Sequence, residues 1–223
     1  MLTMHDVWPL FDLTITSPRL VMRVVRDEDL PGIVAAALAG IHDPARMPFS
    51  VPWTDADPVD LARGMARHQW ELRAGVRPDH WTLNFTVLLD GVPIGTQSVG
   101  ASGFSANQTV NSGSWLTQSQ QGKGYGREMR ATALLFAFDF LGAEAAESSA
   151  TIWNAPSLGV SRSLGYHFGA TKPIEPRPGQ PDMLQELSVA AAEFKRPAWD
   201  ILVEGFDAVA QDLLLAGPHG RRN

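Results

Sequence analysis

The stretch that most narrows what this chain can fold into is 110–141. A strand, 110–117, passes directly into Gln118-Ser119-Gln120-Gln121-Gly122-Lys123-Gly124-Tyr125-Gly126. A helical stripe of Met129, Ala133, Phe136 and Phe140 follows. Glycines let backbone N–H groups approach a ligand closely, and the first turn of the helix adds unsatisfied donors and a partial positive charge. Strand, glycine turn and helix together are suited to a pyrophosphate. Spacing decides which kind of cradle this is. A P-loop needs Gly-Lys followed by Ser or Thr, but Gly122-Lys123 is followed by Gly124. A dinucleotide fingerprint read from Gly124 needs a small residue where Met129 stands, and read from Gly122 it meets Arg127. The spacing that remains is Gln121-x-x-Gly124-x-Gly126. By itself it is either a phosphate cradle or a glycine turn with no ligand.

The flanking segments predict one domain built round one sheet. Residues 20–25 read as a strand, followed by a helix through the alanines to Gly40 that opens on Asp27, Glu28 and Asp29. Asp57 as N-cap, Pro58 and Gly75 bracket a second helix with Leu61, Met65 and Leu72 on one face. Leu83, Phe85, Val87 and Leu89 alternate up to Asp90-Gly91, a favoured two-residue hairpin turn, and 92–99 returns. A strand at 148–153, a helix from Pro156 to Gly165 and a last β segment within 183–194 follow. The proline-rich 171–181 reads as a loop. The fold class is therefore α+β or mixed α/β.

Composition removes several functions. The chain of 223 residues has no cysteine, which excludes disulfide scaffolds, thiol nucleophiles and cysteine-bound zinc. Its net charge of −6 argues against a nucleic-acid partner. No apolar run approaches the ~20 residues of a membrane span, and 1–6 lack the basic and apolar regions of a signal peptide. The expectation is a soluble cytoplasmic protein with no membrane partner. The six histidines, His5, His42, His68, His80, His167 and His219, show no ligand spacing, so no metal is expected. Trp199, Ile201, Val203, Phe206, Val209 and Leu213-Leu214-Leu215 form an apolar series that either folds back on the domain or pairs two chains, and a homodimer is the reading preferred here.

The Gln121-x-x-Gly124-x-Gly126 loop resembles the acyl-CoA pyrophosphate loop of the GNAT N-acyltransferase superfamily. Asn154-Ala155-Pro156-Ser157, leading into Val160-Ser161-Arg162-Ser163-Leu164-Gly165-Tyr166, is similar to the Asn-x-x-Ser…Leu-Gly-Phe segment of its RimJ/RimL-type branch. Ser112-Gly113-Ser114-Trp115-Leu116 matches the strand of that branch before the loop, and Arg19-Leu20 its start. His42-Asp43-Pro44 with Met47-Pro48-Phe49-Ser50-Val51-Pro52-Trp53-Thr54 resembles a smaller actinobacterial group that includes succinyl-CoA users. The resemblance covers 14–195 and implies a single GNAT-like domain, with a mostly antiparallel central sheet flanked by helices. Residues 1–195 would form the acyl-CoA N-acyltransferase domain and 196–223 a C-terminal apolar extension.

What the resemblance implies for chemistry is direct attack of an amine on acetyl-CoA or succinyl-CoA, with no metal. The backbone N–H of Leu116 or Thr117 would meet the oxyanion. The N–H groups of Gln121, Gly122, Lys123, Gly124, Tyr125 and Gly126 would hold the pyrophosphate. Lys123 either adds point charge or is solvated, and the Tyr125 and Arg127 side chains read as packing and surface. Asn154 and Ser157 would face the cofactor arm, although Asn154 also suits an ordinary cap. Ser161 stands where many relatives place an acid for the thiolate, and it either serves there or bonds back to its own helix. Asn111 takes a position where relatives carry glutamate, so no general base is assigned. Trp53 is expected on the acceptor wall, and Arg46 and Arg130 are candidates for a succinyl carboxylate. Asp55, Asp57 and Asp60 either attract a cationic acceptor or answer the helix dipole. The acceptor is a small-molecule or protein amine. A non-catalytic acyl-CoA-binding sensor or interaction module on the same fold is the competing class.

Overall fold

Asp90 and Gly91 both take positive φ, 51° and 78°, and close a hairpin that pairs Leu89 with Val92. Around that hairpin the computed structural model, which describes residues 1–215, builds the rest of the chain. In order come α1 (Met4–Val7), β1 (Thr14–Thr16), β2 (Val21–Val24), α2 (Leu30–Leu38), α3 (Pro58–Ala74), β3 (His80–Leu89), β4 (Val92–Ser102), α4 (Phe104–Asn107) and β5 (Thr109–Leu116). Then follow α5 (Tyr125–Asp139), β6 (Ala145–Thr151), α6 (Ala155–Ser163), β7 (His167–Arg177), β8 (Gln180–Ala190), β9 (Leu202–Glu204) and α7 (Ala208–Leu214). Among the described residues the strands form one nine-stranded sheet in the order β7-β8-β6-β5-β4-β3-β2-β1-β9. All neighbours are antiparallel except β5 and β6. The expected class, mixed α+β with a mostly antiparallel sheet, is the observed one.

Local chemistry explains the helices that flank the site. The Asp57 carboxylate caps α3 by accepting from the N–H groups of Val59 and Asp60, with Pro58 at the first helical position and Gly75 at the end. The face of α5 carrying Met129, Ala133 and Phe136 is buried, and Phe136 meets Phe85 of β3 edge to face at 6.1 Å. Alternate residues of β5 serve opposite faces. Leu116 joins the core beneath α5, whereas Trp115 packs with Ala37, Ile41 and Leu61 beneath α2 and α3.

Three strands were not expected from the sequence. The proline-rich 171–181 is not a loop but the outer half of the β7–β8 hairpin, turning at Gly179 with φ 72°. Pro173 and Pro176 are tolerated because β7 lies at the sheet edge, where an outward N–H needs no partner. Strands β1 and β9, three residues each, pair with one another, Ile15 opposite Val203. The C-terminal apolar series thus lies on its own chain: Leu214 is buried, and its carbonyl accepts from the Trp81 indole at 2.8 Å. The remainder of the extension, 216–223 with His219, lies outside the described residues. No helix among the described residues is long and apolar enough to cross a membrane.

The feature that positions the site is the parting of β5 from β6. They are paired over only three residues, Thr109 to Asn111 against Ala145 to Glu147. Beyond that β5 stays with β4 up to Gly95 opposite Leu116, while β6 stays with β8 up to Thr151 opposite Leu184. A Cβ on Gly95 would overlap the Trp115 carbonyl oxygen, so glycine is what lets β4 follow β5 to its end. Gly95→Ala is expected to destabilise the fold by about 1–3 kcal/mol through this overpacking, measured by urea unfolding.

Candidate functional site

The fork leaves the outer edge of β5 unpaired from Ser112 on. The Thr117 N–H donates to Ile94 of β4 at 2.9 Å. Hydrogen-bonding directions alternate along an antiparallel strand, so the Leu116 and Ser114 amides point the other way, into the fork. Of the two amides expected to meet an oxyanion, Thr117 is therefore committed within the sheet and Leu116 is the one presented.

The open edge runs into the glycine turn. Gly122 and Gly124 sit at φ 72° and 85°, which only glycine adopts freely. Gly124 is the N-cap of α5 and brings no side chain to it, so the N–H groups of the first turn are left for a ligand. The turn is held from behind. Glu128, 6% exposed, accepts from the Ser17 hydroxyl at 2.9 Å, the Arg19 N–H at 2.8 Å and Arg19 Nε at 2.6 Å. Arg19 also donates to the Lys123 carbonyl at 3.1 Å and lies 4.6 Å over the Tyr125 ring. The Tyr125 ring thus packs against Arg19. The Lys123 ammonium is exposed and donates to Gln120 Oε1. Gln121 does not offer its side chain to a ligand. Its Nε2 donates to the Ile41 carbonyl at 2.7 Å and the Leu116 carbonyl at 2.8 Å, tying the loop after α2 to the end of β5.

Arg130 lies in the fork itself. It is 5% exposed; its terminal nitrogens reach Ser148 Oγ at 3.4 Å and Ser114 Oγ at 3.3 Å, and Nε has no partner. No carboxylate pairs with it among the described residues. Because a guanidinium stays charged, this is a buried cation stabilised only by hydroxyl dipoles. Across the opening, Asn154 caps α6 by accepting from the Ser157 N–H at 3.2 Å. Ser161 is fully buried, and its hydroxyl donates to the Ser157 carbonyl at 3.2 Å, the helix-internal arrangement.

On the opposite face, the loop 41–57 builds a wall. Trp53 stands between Phe49 at 5.2 Å and Trp115 at 6.0 Å. His42 fastens the loop through Thr54 Oγ1 at 2.8 Å and the Asp43 carbonyl at 2.9 Å. Arg46 lies exposed, 5.3 Å over the Trp153 ring, well apart in its surroundings from buried Arg130. The acidic group at 55–60 is not a free patch: Asp57 caps α3, Asp60 faces Arg63, and Asp55 is clasped by Arg177 from the β7–β8 hairpin. Arg177 makes two 2.7 Å bonds to Asp55 and a 2.9 Å bond to the Pro44 carbonyl, bridging the two walls of the groove. That guanidinium holds the Asp55 carboxyl below the usual carboxylate range. Glu128 and Arg177 were missed in the sequence because their partners lie more than a hundred residues away. The one local signal was an acid on an otherwise apolar helix stripe.

Comparison with known proteins follows this geometry. A family model described as an acetyltransferase (GNAT) domain matches residues 19–167. Among solved structures, Mycobacterium smegmatis RimJ in complex with CoA-disulfide is similar with TM-score 0.66 and 20% identity, over 85% of this chain and 92% of that one. RimL, a ribosomal L7/L12 alpha-N-protein acetyltransferase in complex with coenzyme A, gives 0.62 and 14%, over 78% and 95%. A GNAT-family acetyltransferase from Bacillus anthracis gives 0.61 and 15%, over 81% and 99%.

Two outcomes are expected. Gly124→Val abolishes acyl-CoA binding in a folded protein, since a β-branched residue cannot hold φ 85° without strain and its Cβ would crowd Arg19 at 3.3 Å; calorimetry reads this. The Asp55–Arg177 clasp depends on an ionised carboxylate whose pKa is lowered in the folded protein. It therefore persists above the ordinary carboxylate range and is lost as pH falls through the lowered value, below about pH 4. Amide exchange in 41–57 rises there, and Arg177→Ala shows the same rise at neutral pH.

Proposed function

The chain belongs to the GNAT acetyltransferase family, and from that premise we propose that it moves an acetyl or succinyl group from acyl-CoA to a primary amine by direct attack on the thioester. The observation that carries this reading is the unpaired edge of β5 running into an uncapped, glycine-turned helix start. A pantetheine arm carries amides that can add to a strand edge, and its pyrophosphate suits the N–H groups of 121–126. In this reading the Leu116 amide polarises the thioester carbonyl, with Asn154 and Ser157 across the arm. Ser161 keeps oxygen lone pairs but must turn its hydroxyl from Ser157 to serve the thiolate. Trp53 and Trp115 line the acceptor side, and holding both reactants in the fork supplies most of the rate gain. The reading assigns 1–195 to the acyltransferase domain and 196–223 to an extension, of which β9 and α7 pack on the core.

Arg130 supports the succinyl form of the donor. A buried guanidinium held by two serines is costly unless an anion completes it, and a carboxylate at the far end of the acyl chain would do so. Arg46, stacked on Trp153 in the open, is the weaker candidate. The amine acceptor is a small molecule or a protein, as ribosomal L7/L12 is for RimL. A non-catalytic acyl-CoA sensor is the second reading, and the committed hydroxyl of Ser161 favours it.

Calorimetric titration with acetyl-CoA, succinyl-CoA and free CoA, paired with thiol-release assays on a panel of amines, tests these readings. Succinyl-CoA is expected to bind tightest, and Arg130→Met to remove that preference while leaving acetyl-CoA affinity unchanged. Binding without thiol release would leave the sensor; no binding at all would end both readings.

A further inference from the structure

Asn111, Glu147 and Ser188 are direct cross-strand neighbours on β5, β6 and β8, so their side chains share one face of the sheet. It is the face of Trp115, since Asn111 and Trp115 are four residues apart on one strand. All three are exposed: α2 and α3 cover β3 and β4 but stop short of this row. Glu147 therefore stands exposed on the sheet face that carries Trp115, at the foot of the fork. It is at the last rung before β5 and β6 part, at the point where the cofactor edge opens through to this face. Its carboxylate has no hydrogen-bond or ion-pair partner among the described residues, unlike the acids around the groove: Asp55 is held by Arg177, Asp182 by the Trp153 indole and Glu186 by Lys172.

We infer that Glu147 is the group that receives the acceptor amine, pairing with its ammonium form on arrival and taking the proton released on attack. The inference rests on the acyltransfer reading above and supplies the base that Asn111 cannot be. The steps balance as follows. The ammonium gives up one proton to water, and the neutral amine moves along the fork to the thioester. The nitrogen lone pair forms the C–N bond at the thioester carbonyl, whose π electrons move to oxygen. The nitrogen passes its extra proton to the Glu147 carboxylate through a relay of waters, because the rung that Glu147 shares with Asn111 lies five residues, about 16 Å, from Leu116. The oxyanion's electron pair re-forms the carbonyl as the C–S bond breaks with its own pair on sulfur, and the thiolate takes a proton from the Glu147 carboxyl or from solvent. Four groups near Glu147 set its charge environment: Asn111 from β5, Ser188 and Glu186 from β8, and Lys172 from β7. Lys172, bonded to Glu186, also feels the charge of Glu147, and both acids raise its pKa. His167, opposite Ser188, is paired with Glu193. One cation shared between two carboxylates leaves this face net acidic, which suits a cationic acceptor.

The test uses acetyl-CoA and a short peptide with a free α-amino group, followed by thiol release. Because Glu147 is exposed and unbonded, Glu147→Gln should keep the melting temperature and the acetyl-CoA affinity of the wild type. We expect kcat/KM for the peptide to fall roughly 100-fold or more, and Glu147→Asp to restore part of the rate. A Glu147→Gln enzyme with wild-type kcat/KM overturns the inference. So does a loss matched by equal loss of acetyl-CoA affinity, which would be a structural effect. A wild type that binds acetyl-CoA but releases no thiol with any amine instead overturns the acyltransfer reading, and this inference with it.

Discussion

Everything in this molecule that bears on chemistry follows from two neighbouring strands being made to separate. Parallel strands that have paired for three residues gain by continuing, and unpaired amides inside a protein are costly. The separation holds because each strand is tied more strongly elsewhere. β6 is paired with β8 over all seven of its residues, and β5 with β4 from Asn111 to Leu116. The gap is wedged from the α5 side by Arg130 and furnished with serine hydroxyls, Ser148 Oγ donating to the Ser112 carbonyl at 2.9 Å. The Leu116 carbonyl, which would otherwise go unmet, is taken by Gln121.

Two classes of ion pair then do different work. Glu128 is buried and receives three bonds from Ser17 and Arg19, so deleting one partner would strand a charge; losses of about 3–5 kcal/mol are typical of such breaks. This pair fixes the glycine turn before any ligand arrives. The Asp55–Arg177 pair is partly exposed and contributes little to global stability. Its importance is positional, because it ties the hairpin tip to the loop that carries Trp53.

What could be read from the sequence was what local chemistry decides. The Asp57–Pro58 helix start and the Asp90-Gly91 turn each depend on residues a few positions apart and stand in the structure as read, and Gly122 and Gly124 form a turn between β5 and α5. Strands of three residues, such as β1 and β9, carry too little periodicity to be seen, and the prolines of β7 mimic a loop because an edge strand tolerates them. Arg130 and Glu128 sit on a helix whose apolar stripe hides them, and only the folded sheet shows that one faces a gap and the other an arginine more than a hundred residues away. For Ser161, both roles open to a helical serine were visible, and the structure displays the helix-internal one. Glu147 had no signature of its own, because its place beside Asn111 arises from pairing between distant segments.

The placement of β9 has a bearing on how such a chain matures on the ribosome. Domains tend to form in the order in which their segments emerge, yet β1 waits for β9, the last strand among the described residues, to cover its free edge. The turn between β1 and β2 carries Ser17 and Arg19, the residues that hold the glycine loop in place. Until residues 202–204 have emerged, a nascent chain can assemble its central strands and helices but keeps the support of that loop on a bare sheet margin. The support of the glycine loop would thus be completed only once β9 has emerged, after the central strands and helices are already in place.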